Sequence, residues 1–261
     1  MKCLRPKSVG GIDHQMKLRI LSGGLIIAAF ASAVLADDVP KPRLRAAPVK
    51  PQIQQAPDFP AVDQASGWPA AEVAQAQEHC ASVLKGLDIA FAPLQPLGQP
   101  GGCGTAAPIR ISAVAGIAIT PAAEANCDFA EALHGWISSS LVPAARQHLK
   151  KKLVLINNAS AYVCRRRNGL ATGKLSEHGK ANALDIATLG FDDGAKISIK
   201  GDWSGLKQLL GISAQAAFLG QIRRDACIRF TTVLGPGSDA YHGDHFHVDL
   251  AKRNSGYRIC K

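Results

Sequence analysis

Six cysteines lie between residues 80 and 260 of this 261-residue chain, and they constrain its fold more than any other feature. Their number is even, no two of them form a Cys-x-x-Cys pair, and a candidate export signal precedes them all. Dispersed cysteines in an exported chain predict disulfides rather than a structural metal bound by cysteine. The disulfide candidates are Cys80, Cys103, Cys127, Cys164, Cys227 and Cys260. Of the fifteen connectivities that six cysteines allow, we favour neighbour pairing, Cys80–Cys103, Cys127–Cys164 and Cys227–Cys260.

Residues 1–36 contain the predicted export signal. Met16-Lys-Leu-Arg is followed by an apolar run from Ile20 to Leu35 and by the small residue Ala36. A basic start, an apolar core of about 15 residues and a small residue at the end are the features of a secretory signal peptide. The run is short for a helix that spans a bilayer, which favours a cleaved signal. An uncleaved anchor is the alternative. We expect a periplasmic or secreted protein whose true start is either the first residue or Met16.

The next segment, residues 37–66, is rich in proline, alanine and glutamine. Such a composition cannot bury enough apolar surface to fold, and proline favours extended backbone. We therefore predict a linker over 37–66 and one folded domain over 67–261.

The domain combines helical and strand-like patterns. Helical spacing is present at 70–87, 120–141, 143–149 and 213–222, and strand-like runs are present at 109–114, 153–156, 159–164, 184–187, 196–199, 228–234 and 246–250. Thr120-Pro121 is interpreted as a helix start, because threonine is a good N-cap and proline fits the first helical turn. Tight turns join most of the strands, which predicts an α+β fold with a small, largely antiparallel sheet and helices packed on one side.

Composition narrows the class of partner. The net charge is +10, and the mean hydropathy is near zero, which excludes a polytopic membrane protein. The basic clusters 150–152 and 165–167 lack interleaved aromatic residues and zinc-finger spacing, so we expect no nucleic-acid partner. The positive charge suits an anionic polymer or a membrane surface, although it is also common in exported proteins that bind neither.

The first motif that carries chemistry spans residues 176–185, Ser-Glu-His-Gly-Lys-Ala-Asn-Ala-Leu-Asp. His178 and Asp185 are seven residues apart, which is enough for a loop to turn into a strand and bring both side chains to one ion. A hydrolytic zinc site takes three protein ligands of this kind and leaves the fourth position to water. This motif therefore predicts part of a zinc site.

The second motif is Asp244-His-Phe-His, near the end of the chain. His245 and His247 alternate by two, so on a strand they would face the same side. Asp249 is interpreted either as a carboxylate that orients a ligand histidine or as a solvent-exposed residue. His242 stands at a predicted turn, and we interpret it as a turn residue rather than a ligand.

These spacings, Ser-x-His-x6-Asp and Asp-x-x-His, resemble those of the LAS zinc metallopeptidases, which include D-Ala-D-Ala peptidases, murein endopeptidases and the hedgehog signalling domain. From Trp68 to Cys260 the chain is more closely similar to the extensin-like C-terminal family of bacterial proteins. The phrases that carry this resemblance are Gly102-Cys-Gly, Ser160-Ala-Tyr-Val-Cys-Arg, Ser176-Glu-His, Asn182-Ala-Leu-Asp, Val233-Leu-Gly-Pro-Gly and His245-Phe-His-Val-Asp. The resemblance implies a hedgehog or D-Ala-D-Ala peptidase-like fold.

The resemblance also implies the zinc ligands. His178 and Asp185 match the first two ligands of the LAS enzymes, and His247 matches the third. Ala181 stands where the LAS motif usually has glycine. The implied cofactor is Zn2+.

Four further residues match catalytic or substrate-binding positions. Asp244 matches the general base, where the LAS enzymes usually have glutamate, and His245 matches a histidine that binds or polarises the substrate. Ser176 and Arg165 match positions that hold a carboxylate or carbonyl of the substrate. Because aspartate is one methylene shorter than glutamate, a base at Asp244 would be displaced by about 1 Å, which can cost a hundredfold in rate.

We therefore expect an exported zinc peptidase that acts on peptidoglycan peptides, as a carboxypeptidase or endopeptidase, by metal-activated water. The expected partner is peptidoglycan or another cell-wall polymer. The alternative is a non-catalytic, zinc-containing wall-binding or structural domain, since the hedgehog domain by resemblance keeps zinc without an obvious peptidase role. Glu177 is expected to point away from the site, and His79, His134 and His148 are expected to be surface residues.

Overall fold

A nine-stranded sheet forms the centre of the fold in a computed structural model that describes Phe59 and residues 67–261. The strands are β1 (Ile89–Pro93), β2 (Leu97–Gly98), β3 (Gly104–Thr105), β4 (Ile109–Val114), β5 (Ile117–Ala125), β6 (Leu153–Ser160), β7 (Ala183–Phe191), β8 (Lys196–Ser198), β9 (Thr232–Leu234), β10 (Phe246–Asp249) and β11 (Ile259–Cys260). The order in the sheet is β1-β4-β5-β6-β7-β10-β9-β11, with β8 on β7, while β2 and β3 form a separate hairpin. Among the described strands, β5–β6 and β9–β11 are the parallel pairs.

The helices are α1 (Ala70–Leu84), α2 (Cys127–Trp136), α3 (Val142–Ala144), α4 (Ile199–Asp202), α5 (Gly205–Leu210) and α6 (Ala214–Arg229). The π-helical segment Ile137–Leu141 joins α2 to α3, and a second one, Ala145–Leu149, continues α3. This helical stretch ends at Lys150, whose backbone is in the left-handed region. Helices and a mostly antiparallel sheet confirm the predicted α+β class. The sheet is larger than the small one that we expected.

Aromatic side chains fill the core where α2 packs against α6. Trp136 is 1% exposed, and its indole nitrogen donates to the carbonyl of Ile222 at 3.0 Å. The ring of Phe230 lies 5.7 Å from that of Trp136 in an edge-to-face arrangement and 5.6 Å from that of Phe129. Such pairs stabilise a core beyond the area that they bury. Trp136 is therefore a core residue.

The predicted helix start at Thr120-Pro121 was wrong. Both residues lie in β5, their peptide bond is cis, and α2 begins only at Cys127. Asn126 caps this helix, because its side-chain oxygen accepts a hydrogen bond from the backbone nitrogen of Phe129 at 2.8 Å. Pro121 pairs with neither neighbouring strand, so its missing N–H removes no bond from the sheet.

Two predicted strands were too long at one end. The runs predicted as separate strands over 153–156 and 159–164 belong to one strand, β6, which stops at Ser160. The residues that follow leave the sheet toward the short helical turn at 178–180. α6 continues to Arg229, so the strand predicted over 228–234 is limited to β9. Arg258 donates to the carbonyls of Cys227 and Ile228, which satisfies the last turn of α6.

Three disulfides join the six candidate cysteines, but two of the three predicted pairs were wrong. The bridges are Cys80–Cys127, Cys103–Cys164 and Cys227–Cys260. α1 packs against α2, so the first bridge joins two helices that are distant in sequence. Neighbour pairing fails there because contact in the fold, rather than distance along the chain, decides which thiols meet.

The predicted signal peptide lies outside the described residues, and so does the linker apart from Phe59. Within 67–261 no helix is long and apolar enough to cross a membrane. Three disulfides are compatible with export to an oxidising compartment.

Peptide mapping without reduction should recover the three bridges of the structure. Replacing both Cys80 and Cys127 by alanine should lower the free energy of unfolding by up to about 4 kcal/mol, because this bridge closes a long loop in the unfolded chain. Urea unfolding of the variant and the unaltered protein measures the difference. Recovery of a Cys80–Cys103 peptide would contradict the fold described above.

Candidate metal centre

Sheet register brings two of the three predicted ligands together. Asp185 lies on β7 and His247 on β10, and the two residues are directly opposite in this antiparallel pair. Opposite residues place their side chains on the same face of a sheet. His178 joins them from the short helical turn His178–Lys180, which precedes β7. All three side chains are buried, with residue exposures of 2–8%.

Their donor atoms form a nearly equilateral triangle. Nε2 of His178 lies 3.1 Å from Nδ1 of His247 and 3.2 Å from Oδ1 of Asp185. Nδ1 of His247 lies 2.9 Å from the same oxygen. A tetrahedral zinc ion with bonds of about 2.0–2.1 Å holds its ligands about 3.3 Å apart. The three residues could therefore hold a metal ion, and their chemistry and spacing are compatible with zinc.

Hydrogen bonds on the outer side of each imidazole fix which nitrogen faces the triangle. Nδ1 of His178 lies 2.6 Å from the carbonyl oxygen of Ala161, which can only accept, so this nitrogen carries the hydrogen. Nε2 of His247 likewise donates to Oδ2 of Asp249 at 3.0 Å. In the neutral imidazoles the nitrogens that face the triangle then carry lone pairs, as a metal requires.

A proton can take the place of the metal ion, and it would sit on His247. Burial acts to lower the pKa of this imidazole, but hydrogen bonds to Asp185 and Asp249 outweigh burial and raise the pKa of His247 to about 9. Burial favours the neutral form of both carboxyls, yet hydrogen bonds from histidine hold the pKa of Asp185 and of Asp249 below the usual range. A metal ion must therefore displace a proton from His247.

The turn that carries His178 needs an unusual backbone. Ala181 has a φ of 51°, in the left-handed region that glycine occupies at little cost. This is the position where the LAS motif usually has glycine, and alanine costs about 1 kcal/mol there. Backbone hydrogen bonds hold the residue in place, because its carbonyl accepts from Asn126 at 2.7 Å and its N–H donates to His178 at 3.1 Å.

Two aspartate–histidine pairs lie beside the triangle. Nδ1 of His245 lies 2.8 Å from Oδ1 of Asp244, and Nε2 of His245 lies 3.5 Å from Oδ1 of Asp185. The second pair is His242 with Asp239, whose Nδ1 and Oδ1 are 2.7 Å apart.

His245 was expected in the site, whereas His242 was expected to be only a turn residue. The ring of His242 lies 5.3 Å from that of His245 and 5.6 Å from that of His247. His242 is therefore part of this site rather than an isolated turn residue. Its Asp-x-x-His spacing, the same as in Asp244-x-x-His247, was the signal available in the sequence.

A cavity of about 520 Å³ opens at the triangle. The residues that line it are Arg165, Arg167, Asn168, Gly169, Ser176, Glu177, His178, Asp185, Thr232, Leu234, Asp239, Tyr241, His242, His245, His247, Asp249, Arg253 and Ile259. Arg165 and Ser176 are thus on the same cavity as the candidate metal ligands. Asp244 is not among the lining residues, and its side chain is 60% exposed.

Glu177 corrects one expectation. Its backbone is helical rather than extended, so its side chain turns inward and is 4% exposed. The carboxylate accepts hydrogen bonds from Lys180 at 2.9 Å and from Asn182 at 2.8 Å. These bonds brace the two ends of the turn on which His178 lies.

Other histidines lie away from the cavity. His79 pairs with Asp128 on the surface, and His148 lies 2.6 Å from the side-chain oxygen of Gln221. Asp249 is buried and accepts from His247, a candidate ligand, so it orients this histidine, which was one of the two interpretations of the sequence, and is not solvent-exposed.

The chain matches a protein family over most of this domain. The family model described as extensin-like protein C-terminus matches residues 78–261, more than half of the chain. The chain therefore belongs to the extensin-like C-terminal family. No curated protein and no solved structure matches it significantly.

The stability of the metal-free protein should fall as the pH rises from about 6.5 to about 9. The folded protein binds the proton of His247 more tightly than the unfolded chain, whose pKa is near 6.5, so this stabilisation is complete below pH 6.5. As the pH rises through about 9 this stabilisation is lost, which should lower the free energy of unfolding by up to about 3 kcal/mol. Urea unfolding after chelation measures the change. The zinc-loaded protein should lack this fall, and equal slopes for both forms would contradict the arrangement.

Replacing Asp249 by asparagine should weaken zinc binding by about 10- to 100-fold, because the partner of His247 orients the ligand and makes it more basic. Competition with a coloured chelator gives the affinity. The matched control is Asp193→Asn, which changes an exposed aspartate paired with Lys151 and should leave zinc binding unchanged. Equal affinities in the two variants would show that Asp249 does not act on the metal through His247.

Proposed function

We propose that this member of the extensin-like family is an exported zinc-dependent peptidase that cleaves peptidoglycan peptides, as a carboxypeptidase or an endopeptidase. The observation that carries the proposal is a triangle of three buried donors at an open cavity, next to an aspartate–histidine pair. A structural zinc site would be closed by a fourth protein ligand, whereas an open cavity leaves the fourth position to water.

When bound, a zinc ion lowers the pKa of its water ligand to about 7 and polarises a carbonyl group. His245 supplies the proton transfer that this chemistry needs. Its Nδ1 donates to Asp244, so in the neutral ring Nε2 has a lone pair on the side of Asp185. We assign His245 as the general base that takes a proton from water and returns it to the leaving amine.

In this assignment Asp244 is not the general base, although the resemblance implies that role for it. The carboxylate holds Nδ1 of His245 at 2.8 Å, and this hydrogen bond keeps the pKa of Asp244 below its usual range. Because its pKa is lowered, Asp244 is a weaker base, and its side chain is exposed. It is therefore poorly suited to accept a proton from water in the cavity. Asp244 instead orients His245 and stabilises the imidazolium that forms, as the aspartate does in a serine-protease triad.

His242 adds a second imidazole on the cavity side. Asp239 accepts from its Nδ1, which leaves Nε2 available to the substrate. We assign His242 to the oxyanion: when its ring carries a hydrogen on both nitrogens, Nε2 is a positioned donor that stabilises developing charge.

Arg165 is the proposed carboxylate-binding residue. It lines the cavity, and among the described residues its side chain makes no hydrogen bond and no ion pair. Ser176 is adjacent, because its backbone nitrogen donates to the carbonyl of Arg165 at 3.0 Å. A half-buried guanidinium without a protein partner is suited to bind a substrate carboxylate in two-pronged geometry.

The substrate class follows from chemistry and predicted location. Peptidoglycan stem peptides end in carboxylates, which Arg165 can hold, and the net charge of +10 favours an anionic polymer. The predicted signal peptide would deliver the protein to the periplasm or the exterior, where this polymer lies. We also propose that the fold is related to that of the LAS peptidases, on the basis of the two motif spacings and the placement of His178, Asp185 and His247 around one point.

His245→Gln should lower kcat/KM at least 100-fold and leave zinc content unchanged, because proton transfer by a positioned base contributes about 10²–10⁴ in rate. Asp244→Ala should cost less, since it removes only the orienting partner. The purified, zinc-loaded protein would be incubated with sacculi, and the released peptides would be measured by mass spectrometry. The matched control is His79→Gln, which alters an aspartate–histidine pair between α1 and α2.

The outcomes separate the rival functions. If Asp244→Ala abolishes turnover while His245→Gln retains it, Asp244 is the base after all. If the zinc-loaded protein releases no peptide from sacculi but sediments with them, the domain binds the wall without catalysis. If it binds no zinc, the metal centre itself is refuted.

A further inference from the structure

We propose that the Cys103–Cys164 disulfide positions the metal ligand His178, so that zinc binds tightly only after this bridge has formed. The inference rests on the proposed zinc site and not on the reaction that the site performs. It assigns to one of the three bridges a regulatory part that the other two do not share.

The bridge holds the segment that orients the His178 ring. Cys164 lies three residues after Ala161, whose carbonyl accepts from Nδ1 of His178 at 2.6 Å. Between them, the backbone nitrogen of Val163 donates to the carbonyl of His178 at 3.4 Å. Residues 161–164 follow the end of β6 and pair with no strand. The disulfide is the covalent tie that keeps this short segment against His178.

The other half of the bridge packs on the turn that carries His178. A Cβ atom added to Gly179 would lie only 3.2 Å from Sγ of Cys103, which shows how closely the sulfur approaches this backbone. Gly179 is the residue after His178, so the disulfide touches the turn from one side while Ala161 and Val163 hold it from the other. Loss of the bridge would free both sides together.

The Cys103 end of the bridge is held by the tightly packed β2–β3 hairpin. Cys103 lies between β2 and β3, where a Cβ on Gly98 would fall 1.8 Å from the carbonyl oxygen of Cys103. A Cβ on Gly104 would fall 1.6 Å from that of Leu97, so only glycine fits at either position. The hairpin holds Cys103 in place, and the bridge passes that constraint to residues 161–164.

Exposure makes this bridge accessible to thiol chemistry. Cys164 is exposed and Cys103 is half-buried, whereas Cys80 and Cys127 are buried between two helices. When the bridge forms, two thiols lose two protons and two electrons in all, and a disulfide oxidant is reduced to two thiols. One S–S bond forms in the protein as one breaks in the oxidant. A thiol reductant reverses the exchange.

The consequence is that zinc loading follows oxidation. In a reducing cytosol the two thiols would leave His178 without its support, and the site would bind zinc weakly. In an oxidising compartment the bridge would complete the site. Activity would therefore begin only where the wall polymer is present.

The test compares two double variants of the full chain. Cys103→Ser with Cys164→Ser should raise the zinc Kd at least tenfold in chelator competition, as expected when a partner that orients a ligand is lost. Cys227→Ser with Cys260→Ser is the matched control, because these cysteines have similar exposure and β9 separates Cys260 from β10. The control should keep the zinc affinity of the unaltered protein.

A second measurement needs no metal. In the chelated protein, the Nδ1–H of His178 that donates to Ala161 should give a slowly exchanging imidazole NMR signal. The signal should be lost in the Cys103/Cys164 variant and kept in the control, even if the unaltered protein fails to bind zinc. Mild reduction and reoxidation of the unaltered protein should remove and restore it, which covers a variant that does not fold. A retained signal with unchanged zinc affinity would overturn the proposal.

Discussion

Three electron-pair donors held about 3 Å apart repel one another unless a cation lies between them, and the candidate site is built around this constraint. Each donor is fixed by a contact on its far side. Ala161 holds His178, Asp249 holds His247, and the register of β7 and β10 holds Asp185. Because these supports are backbone or buried groups, the donors cannot turn away from each other. A proton or a metal ion between the donors must therefore offset their repulsion.

Within each motif the placement of the candidate ligands could be predicted from the sequence because it is local, whereas the contact between the two motifs followed only from the resemblance. A loop that enters a strand brings His178 toward Asp185, and the alternation of His245 and His247 turns both imidazoles to the cavity. The structure places these side chains as the spacing suggested. Glu177 escaped prediction because one helical residue in the loop reverses its direction, and single-residue backbone changes leave no periodic signal.

Contacts between segments that are distant in the sequence could not be predicted either. Nothing in the spacing of the cysteines shows that α1 meets α2, or that the β2–β3 hairpin meets the segment after β6, so two bridges were wrongly predicted. The helix start predicted at Thr120-Pro121 was wrong for a related reason. The pair fits a helix start in local chemistry, but a strand in contact with β6 overrides it. His242 joins the site through the loop between β9 and β10, where its ring lies beside those of His245 and His247.

β10 belongs to the core and to the site at once. Phe246 and Val248 are buried, with Phe246 edge-to-face against Trp203 at 5.5 Å, while His247 and Asp249 line the cavity. A slip of one residue in this strand would exchange the two faces and send apolar rings into the cavity. Insertions and deletions near β10 should therefore be purged during evolution more strictly than substitutions, and the spacing of this strand would outlast the identity of its residues.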